Sequence, residues 1–204
     1  MNKIDLKQEL KQLYNPSARE FSVVDVPALQ FLMIDGQGNP NSSSTYKQAV
    51  EALFSLSYAL KFMVKKSAAA IDYSVMPLEG LWWVDDMRQF SVENKDGWKW
   101  TMLIMQPEYV NAALVDAARQ QVSRKKELPA LQTVRYDSFH EGRAAQIMYL
   151  GPYADEAPTI ARLHAFIKQQ GGQLCGKHHE IYLSDPSRTA PEKLKTIIRQ
   201  PFLL

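Results

Sequence analysis

The stretch His178-His179-Glu180-Ile181-Tyr182-Leu183-Ser184-Asp185-Pro186 holds the residue types best suited to chemistry in this chain. Read as a strand, its side chains alternate between two faces. His178, Glu180, Tyr182 and Ser184 share one face; His179, Ile181 and Leu183 share the other. An imidazole, a carboxylate and a phenol in a row offer a base or cation anchor beside an aromatic wall. The same pattern also describes an ordinary half-exposed strand, aliphatic inside and polar outside. Neighbouring His178 and His179 point to opposite faces and cannot chelate one ion together, so neither a metal site nor a cofactor is expected.

A second aromatic stretch, Met76-Pro77-Leu78-Glu79-Gly80-Leu81-Trp82-Trp83, carries another carboxylate. Alternation puts Glu79, Leu81 and Trp83 on one face, which makes Trp83 the expected ligand wall and Trp82 a core residue. Trp98 and Trp100 also share a face, and Trp100 lies deeper in its strand. Each tryptophan has a plainer reading as core. Glu79 has one as a strand-end salt bridge. Two carboxylates among aromatic rings suit an organic cation through charge and cation–π attraction, without chemistry.

Those residues must be positioned by the elements around them. Met1–Tyr14 reads as a short amphipathic helix ended by Pro16. Phe21–Asp35 reads as one or two strands broken at Pro27, and the Gly/Asn/Pro/Ser run 36–44 as a turn. Tyr46, Val50, Leu53, Phe54, Ser57, Leu60 and Val64 form a helical stripe over Tyr46–Lys66. Tyr58 on that helix either points into a cleft or packs helix on sheet. Strands are predicted over Tyr73–Val84, Phe90–Asn94 and Trp98–Met105, then a helix from Pro107 to about Gln121. The order then returns: strands over Thr133–Glu141 and Ala144–Leu150, a helix from about Asp155 or Ala157 to Gln170 stopped by Gly171-Gly172, the His178 strand, and a last strand over Leu194–Arg199.

This is an internal repeat. Gln30-Phe-Leu-Met-Ile-Asp-Gly answers Gln146-Ile-Met-Tyr-Leu-Gly, and Trp100-Thr-Met-Leu-Ile-Met-Gln-Pro answers Lys195-Thr-Ile-Ile-Arg-Gln-Pro. The fold class is therefore α+β: a duplicated β-α-β-β module with pseudo-twofold symmetry, its sheet antiparallel or mixed. Helices lie on the outer face and a ligand cleft sits at the axis. Residues 1–20 form a helical extension to a single domain over 21–204, with modules of about 21–125 and about 130–204. Glu79 and Glu180 come from corresponding strands and are expected to approach each other, although Gly80 can mark a bulge that shifts the register by one.

Composition narrows the function classes. The chain of 204 residues is 46% hydrophobic and 23% charged with a net charge of only +2, which fits a globular protein. Arg124-Lys125-Lys126 is the strongest basic run and Glu127 follows it at once, so no nucleic-acid partner is expected. Cys175 is the only cysteine, which suits a reducing cytoplasm. No leader-like or membrane-spanning apolar run is present.

The Pro77-Leu-Glu-Gly-Leu-Trp-Trp and His178-His-Glu-Ile-Tyr-Leu-Ser-Asp-Pro motifs, with Lys195-Thr-Ile-Ile-Arg-Gln-Pro and Glu141-Gly142 ahead of Gln146, resemble the GyrI-like small-molecule-binding family. The resemblance covers the chain from about Phe21 onward. It implies the duplicated module, a ligand cleft at the axis, and Glu180 as the buried glutamate that binds cationic aromatic drugs in effector domains of transcription activators. Without a DNA-binding domain the chain resembles the stand-alone branch, some of whose members hydrolyse cyclopropanoid DNA alkylators. Tyr149, in Tyr149-Leu-Gly-Pro-Tyr, stands where several relatives carry histidine.

Opening an activated cyclopropane with water requires a base for the water, a donor for the conjugated carbonyl, and flat apolar walls. The expected catalytic residues are Glu180 as base and Tyr182 as donor or water-positioning group. The expected ligand-binding residues are Glu79, Trp83, Trp100, Tyr58, His178 and Tyr149. The partner is a small aromatic or cationic molecule, and the oligomeric state is not readable. The competing class is a non-catalytic binder that sequesters such drugs or inhibits a protein such as gyrase; no long acidic surface supports the latter.

Overall fold

Period-two hydrophobicity builds the long strands, and their pairing closes the sheet on itself. The computed structural model of the chain describes residues 3–87 and 95–204; the strand expected over Phe90–Asn94 lies outside them. The strands are β1 (Ser22–Gln37), β2 (Leu78–Trp83), β3 (Lys99–Gln106), β4 (Arg135–Leu150), β5 (Gln173–Leu174), β6 (His178–Tyr182) and β7 (Lys195–Leu203). Among the described residues, β4-β1-β3-β2-β6-β7 follow one another and β4 pairs again with β7, so six antiparallel strands close into a barrel. Closure leaves no exposed sheet edge along this ring. The short β5 adds to the far end of β7.

Pro27 does not divide β1. Its missing N–H costs one rung: the ladder to β4 runs from Val26↔Gly142 to Ala28↔His140 and skips the proline. The ladder to β3 begins only at Gln30, so Pro27 breaks nothing on that side. The two strands expected over 133–150 are likewise one. Glu141 and Gln146 both reach Arg199, although strict alternation would set them on opposite faces. Gly142 lies between them at φ 72°, a conformation that glycine adopts without strain.

Helices pack on the outside. α1 (Leu6–Glu9) and α2 (Lys11–Tyr14) replace the single N-terminal helix that periodicity predicts; Leu10, at φ −100° and ψ 35°, separates them. α3 (Ser44–Lys66) starts where the Ser43 hydroxyl accepts from the Tyr46 N–H at 3.2 Å. It lies over β1 and β3, burying Leu53, Leu56, Leu60 and Val64. α4 (Ala112–Ser123) begins at Asn111, not at Pro107, because the Asn111 side chain caps it while Pro107 opens a turn closed by Val110. α5 (Ala157–Gln169) sets Ile160, Leu163 and Ile167 against Ala145, Ile147, Ile198 and Phe202, a second apolar core on β4 and β7.

Candidate ligand cavity and buried carboxylates

The pairing of β2 with β6 decides what faces what. Gly80 stands opposite Glu180 and Glu79 opposite Ile181. The register is offset by one from the correspondence of the two glutamates, and a one-residue offset moves a side chain to the other face. The expectation that Glu79 and Glu180 share a cleft is therefore corrected. Glu180 points out of the barrel toward α3, and Glu79 points into it.

On the outer side, α3, β2, β6 and the turn before α5 enclose a cavity of about 790 Å³, the size of a site for a drug-like molecule. Trp82, Trp98, Tyr46 and Tyr153 form aromatic walls, with Glu180 and Glu156 among them. Trp82 and Trp98 lie 5.1 Å apart by ring centroid, and Tyr46 stacks on Trp82 at 6.1 Å. A Cβ on Gly80 would meet the Trp82 indole nitrogen at 2.7 Å, so the glycine leaves room for that indole to lie along the sheet. The cavity draws its helical wall from Tyr46, Val50, Phe54 and Tyr58, one margin of the α3 stripe whose other margin is core.

Glu180 is 7% exposed and fully engaged. His178 Nε2 lies 3.0 Å from Oε1, and the Tyr182 hydroxyl donates to Oε2 at 2.6 Å. The Trp82 indole N–H donates in turn to the Tyr182 oxygen at 3.0 Å. Burial acts to raise the Glu180 pKa, but the hydrogen bonds and charge of His178 and the Tyr182 hydroxyl outweigh it and hold the group below the usual carboxylate range. Burial and the Glu180 charge keep the Tyr182 phenol protonated well beyond its ordinary range. Glu156, 2% exposed, is the opposite case: burial, then the Glu180 charge, push its carboxyl up to about 9. At neutral pH the cavity thus holds one ionised and one protonated carboxyl group.

Inside the barrel lies a separate network. His179 Nε2 is 3.0 Å from Glu79 Oε2, and its Nδ1 is 3.0 Å from Glu141 Oε1. Both ring nitrogens facing carboxylates make the imidazolium the favoured form; Glu141 and Glu79 overcome the burial that opposes it and raise its pKa to about 9. Arg199 donates to Glu141 at 3.2 Å, to Gln146 at 3.0 Å and to the Leu13 carbonyl at 2.6 Å. Tyr14 donates to Glu79 at 2.7 Å, and Gln146 to the Gln12 carbonyl at 2.6 Å. Two carboxylates and two cations balance here, and the network ties α2 to the barrel.

The other expected residues fall in different places. Tyr58 lines the cavity at its rim, 48% exposed. His178 is buried behind Glu180 rather than at the cavity surface. Trp83, which alternation puts on the Glu79 face, lies off the cavity with the Lys177 ammonium 3.3 Å from its ring centroid; Trp82 takes the wall position. Trp100 is 1% exposed, edge-on to Tyr46 beneath α3, because depth in the strand leads into the core; the shallower Trp98 reaches the cavity. Tyr149 turns away and donates to the Pro152 carbonyl at 3.1 Å. Sequence reasoning missed Glu156, Tyr46 and Tyr153. An acid just before a helix reads as a cap, yet the Glu156 side chain makes no capping bond. Among the described residues no group of three or more His, Cys, Asp or Glu side chains is arranged to hold a metal ion, and no helix is long and apolar enough to cross a membrane.

A profile of the GyrI-like small-molecule-binding domain matches residues 19–202. The structure is similar to that of an uncharacterized conserved protein from Listeria innocua, with a TM-score of 0.90 and 37% identity over 98% of this chain and 100% of the other. Two structures described as hydrolases from Listeria innocua are also similar. One has a TM-score of 0.86 and 36% identity over 98% of this chain. The other has a TM-score of 0.88 and 35% identity over 99% of this chain, and each is covered over 100% of its own length. No curated protein is a significant match.

Proposed function

The chain belongs to the GyrI-like small-molecule-binding domain family, and from that premise we propose that it is a hydrolase which takes a flat aromatic substrate into the cavity beside Glu180. The proposed substrates are cyclopropanoid DNA alkylators. The carrying observation is a buried carboxylate, held in one orientation by His178 and Tyr182 and set in an aromatic cavity of about 790 Å³. Similarity to two proteins described as hydrolases supports the enzyme class.

In this reading Glu180 takes a proton from water as the water oxygen bonds to the cyclopropane methylene carbon. The ring carbon–carbon bond breaks, its electron pair passes into the conjugated carbonyl, the carbonyl oxygen takes up a proton from solvent and Glu180 returns its proton to solvent, so the product is substrate plus water. The Tyr182 proton is committed to Glu180, so its part is to fix the carboxylate. In this reading a cavity-lining phenol, Tyr46 or Tyr153, meets the charge on the carbonyl oxygen. The walls hold the ring system near attack geometry.

The chain order supports a duplicated module: β1-α3-β2-β3 and β4-α5-β6-β7 share one order, with α4 joining them and β5 inserted in the second. Like strands pair with like, β1 with β4 and β2 with β6. The cavity then flanks the pseudo-twofold at the β2–β6 pair. A single cysteine supports a cytoplasmic location.

Mass spectrometry of a cyclopropanoid alkylator incubated with wild type and with Glu180→Gln tests the proposal. Wild type is expected to yield the water adduct, and the variant to lose about 10²–10⁴-fold in rate. A second reading, sequestration of aromatic cations, is favoured by the ionised Glu180 among Trp82, Trp98 and Tyr46. Tight binding that quenches tryptophan fluorescence, with no product, would select it.

A further inference from the structure

Glu156 is a buried acid that the hydrolysis scheme does not use. Its residue sits immediately before α5, where an acidic side chain ordinarily caps the helix, but it makes no capping hydrogen bond. It turns into the cavity instead, 2% exposed, on the same wall as Glu180, whose charge acts on it. Its Oε1 has no hydrogen-bond partner among the described residues. Two buried carboxyl groups sharing one cavity, out of water, resist both being ionised without a cation between or beside them.

We propose that Glu156 matches the charge of the cavity to its ligand: it keeps its proton while the cavity is empty or holds a neutral aromatic molecule, and releases it when an aromatic cation binds. This rests on the cavity accepting aromatic cations, the second reading above. The groups facing Glu156 fit the assignment. Glu180 and Tyr182 of β6, Tyr149 of β4, Tyr153 of its own turn and Lys95 ahead of β3 interact with it electrostatically, and Lys7, Lys47 and Asp185 also line the cavity. Tyr46 of α3 and His178 of β6 face Glu180 on its other sides. The phenols are neutral at physiological pH; Lys7, Lys47 and Lys95 line the cavity, and of these Lys95 acts on Glu156. Its attraction lowers the Glu156 pKa, yet burial and the Glu180 charge leave it at about 9. A ligand cation against both carboxyl groups adds the charge that Lys95 alone does not supply. The pair thus takes neutral substrates with one negative charge in the wall and cations with two.

The test is calorimetric titration of wild type with ethidium, an aromatic monocation, in two buffers of different ionisation enthalpy, repeated across pH. The dependence on buffer gives the protons released. Wild type is expected to release close to one proton per ethidium at neutral pH, and its Kd to tighten up to about tenfold per pH unit below about pH 8. A neutral phenylphenanthridine of the same shape is expected to release none. Glu156→Gln is expected to bind ethidium with no proton release and no pH dependence over that range. Ethidium binding by wild type without proton release would overturn the proposal while leaving cation binding standing, and needs no variant. Full proton release by Glu156→Gln would move the proton to another group and overturn it as well. Failure of wild type to bind any aromatic cation would overturn the cation reading and the proposal together, without touching turnover of neutral substrates.

Discussion

Glu180 is defined by what holds it. Two donors fix its oxygens, and the chain Trp82 N–H to Tyr182 O–H to Glu180 is oriented in one direction. Tyr182→Phe removes one donor to the carboxylate and leaves the Trp82 N–H without its acceptor. Loss of a charge-assisted hydrogen bond of about 1.5–3 kcal/mol is expected to raise the proton affinity of Glu180. The acid limb of the pH–rate profile should then shift upward and kcat fall by about tenfold or more. An unshifted limb in Tyr182→Phe would mean that the phenol does not set the ionisation of Glu180. At this scale the sequence was informative about type and poor about direction. The His-Glu-Tyr alternation put His178, Glu180 and Tyr182 on one face, which is how they stand. It could not tell that Glu156 abandons its cap for the cavity, because burial of that carboxyl depends on α5 docking against strands far away in sequence.

The barrel strand β6 is two sites on two faces, and its inner face works for stability. His179, Glu141 and Arg199 are each 1–2% exposed at the side chain. Removing one charge leaves another buried and unpaired, so Glu141→Gln is expected to cost about 3–5 kcal/mol, read from denaturant midpoints. A cost below about 1 kcal/mol would show that water already reaches the network. The titration signs give a window. The two acceptors of His179 raise its folded pKa from 6.5 to about 9, so its contribution is complete below 6.5 and is lost as pH rises through about 9. Glu141, lowered from 4.5 to about 2 by His179 and Arg199 against its burial, contributes fully above 4.5 and loses this as pH falls through about 2. Glu156 opposes folding increasingly from 4.5 to about 9, where the unfolded carboxyl ionises and the folded one does not. Stability is therefore expected to peak near about pH 5 and to fall steadily toward about pH 9, with Glu156→Gln flattening the fall between about pH 5 and about pH 6.5. A denaturation midpoint that rises from about pH 6 to about pH 9 would contradict these assignments.

As a whole, the molecule uses barrel closure to separate a balanced ionic interior from an aromatic outer cavity. Much of the order was legible: the long α3, α5 ended at its glycines, and strands near 22–37, 78–83, 99–106 and 195–203. Closure was not, since the β4–β7 pairing joins stretches whose alternation is the same in an open sheet. The offset between β2 and β6 was not either. Matching Glu79 to Glu180 aligns letters, whereas the ladder aligns Gly80 with Glu180, and only the ladder decides which face a carboxylate occupies. The central claim is that the outer cavity adds water to a strained aromatic substrate with Glu180 as base. Its most direct test is a single-turnover reaction of wild type and Glu180→Gln with a cyclopropanoid alkylator in oxygen-labelled water, followed by mass spectrometry. Wild type is expected to give one labelled oxygen in the ring-opened product, and the variant none above background. Labelled product formed by Glu180→Gln at the wild-type rate would contradict it.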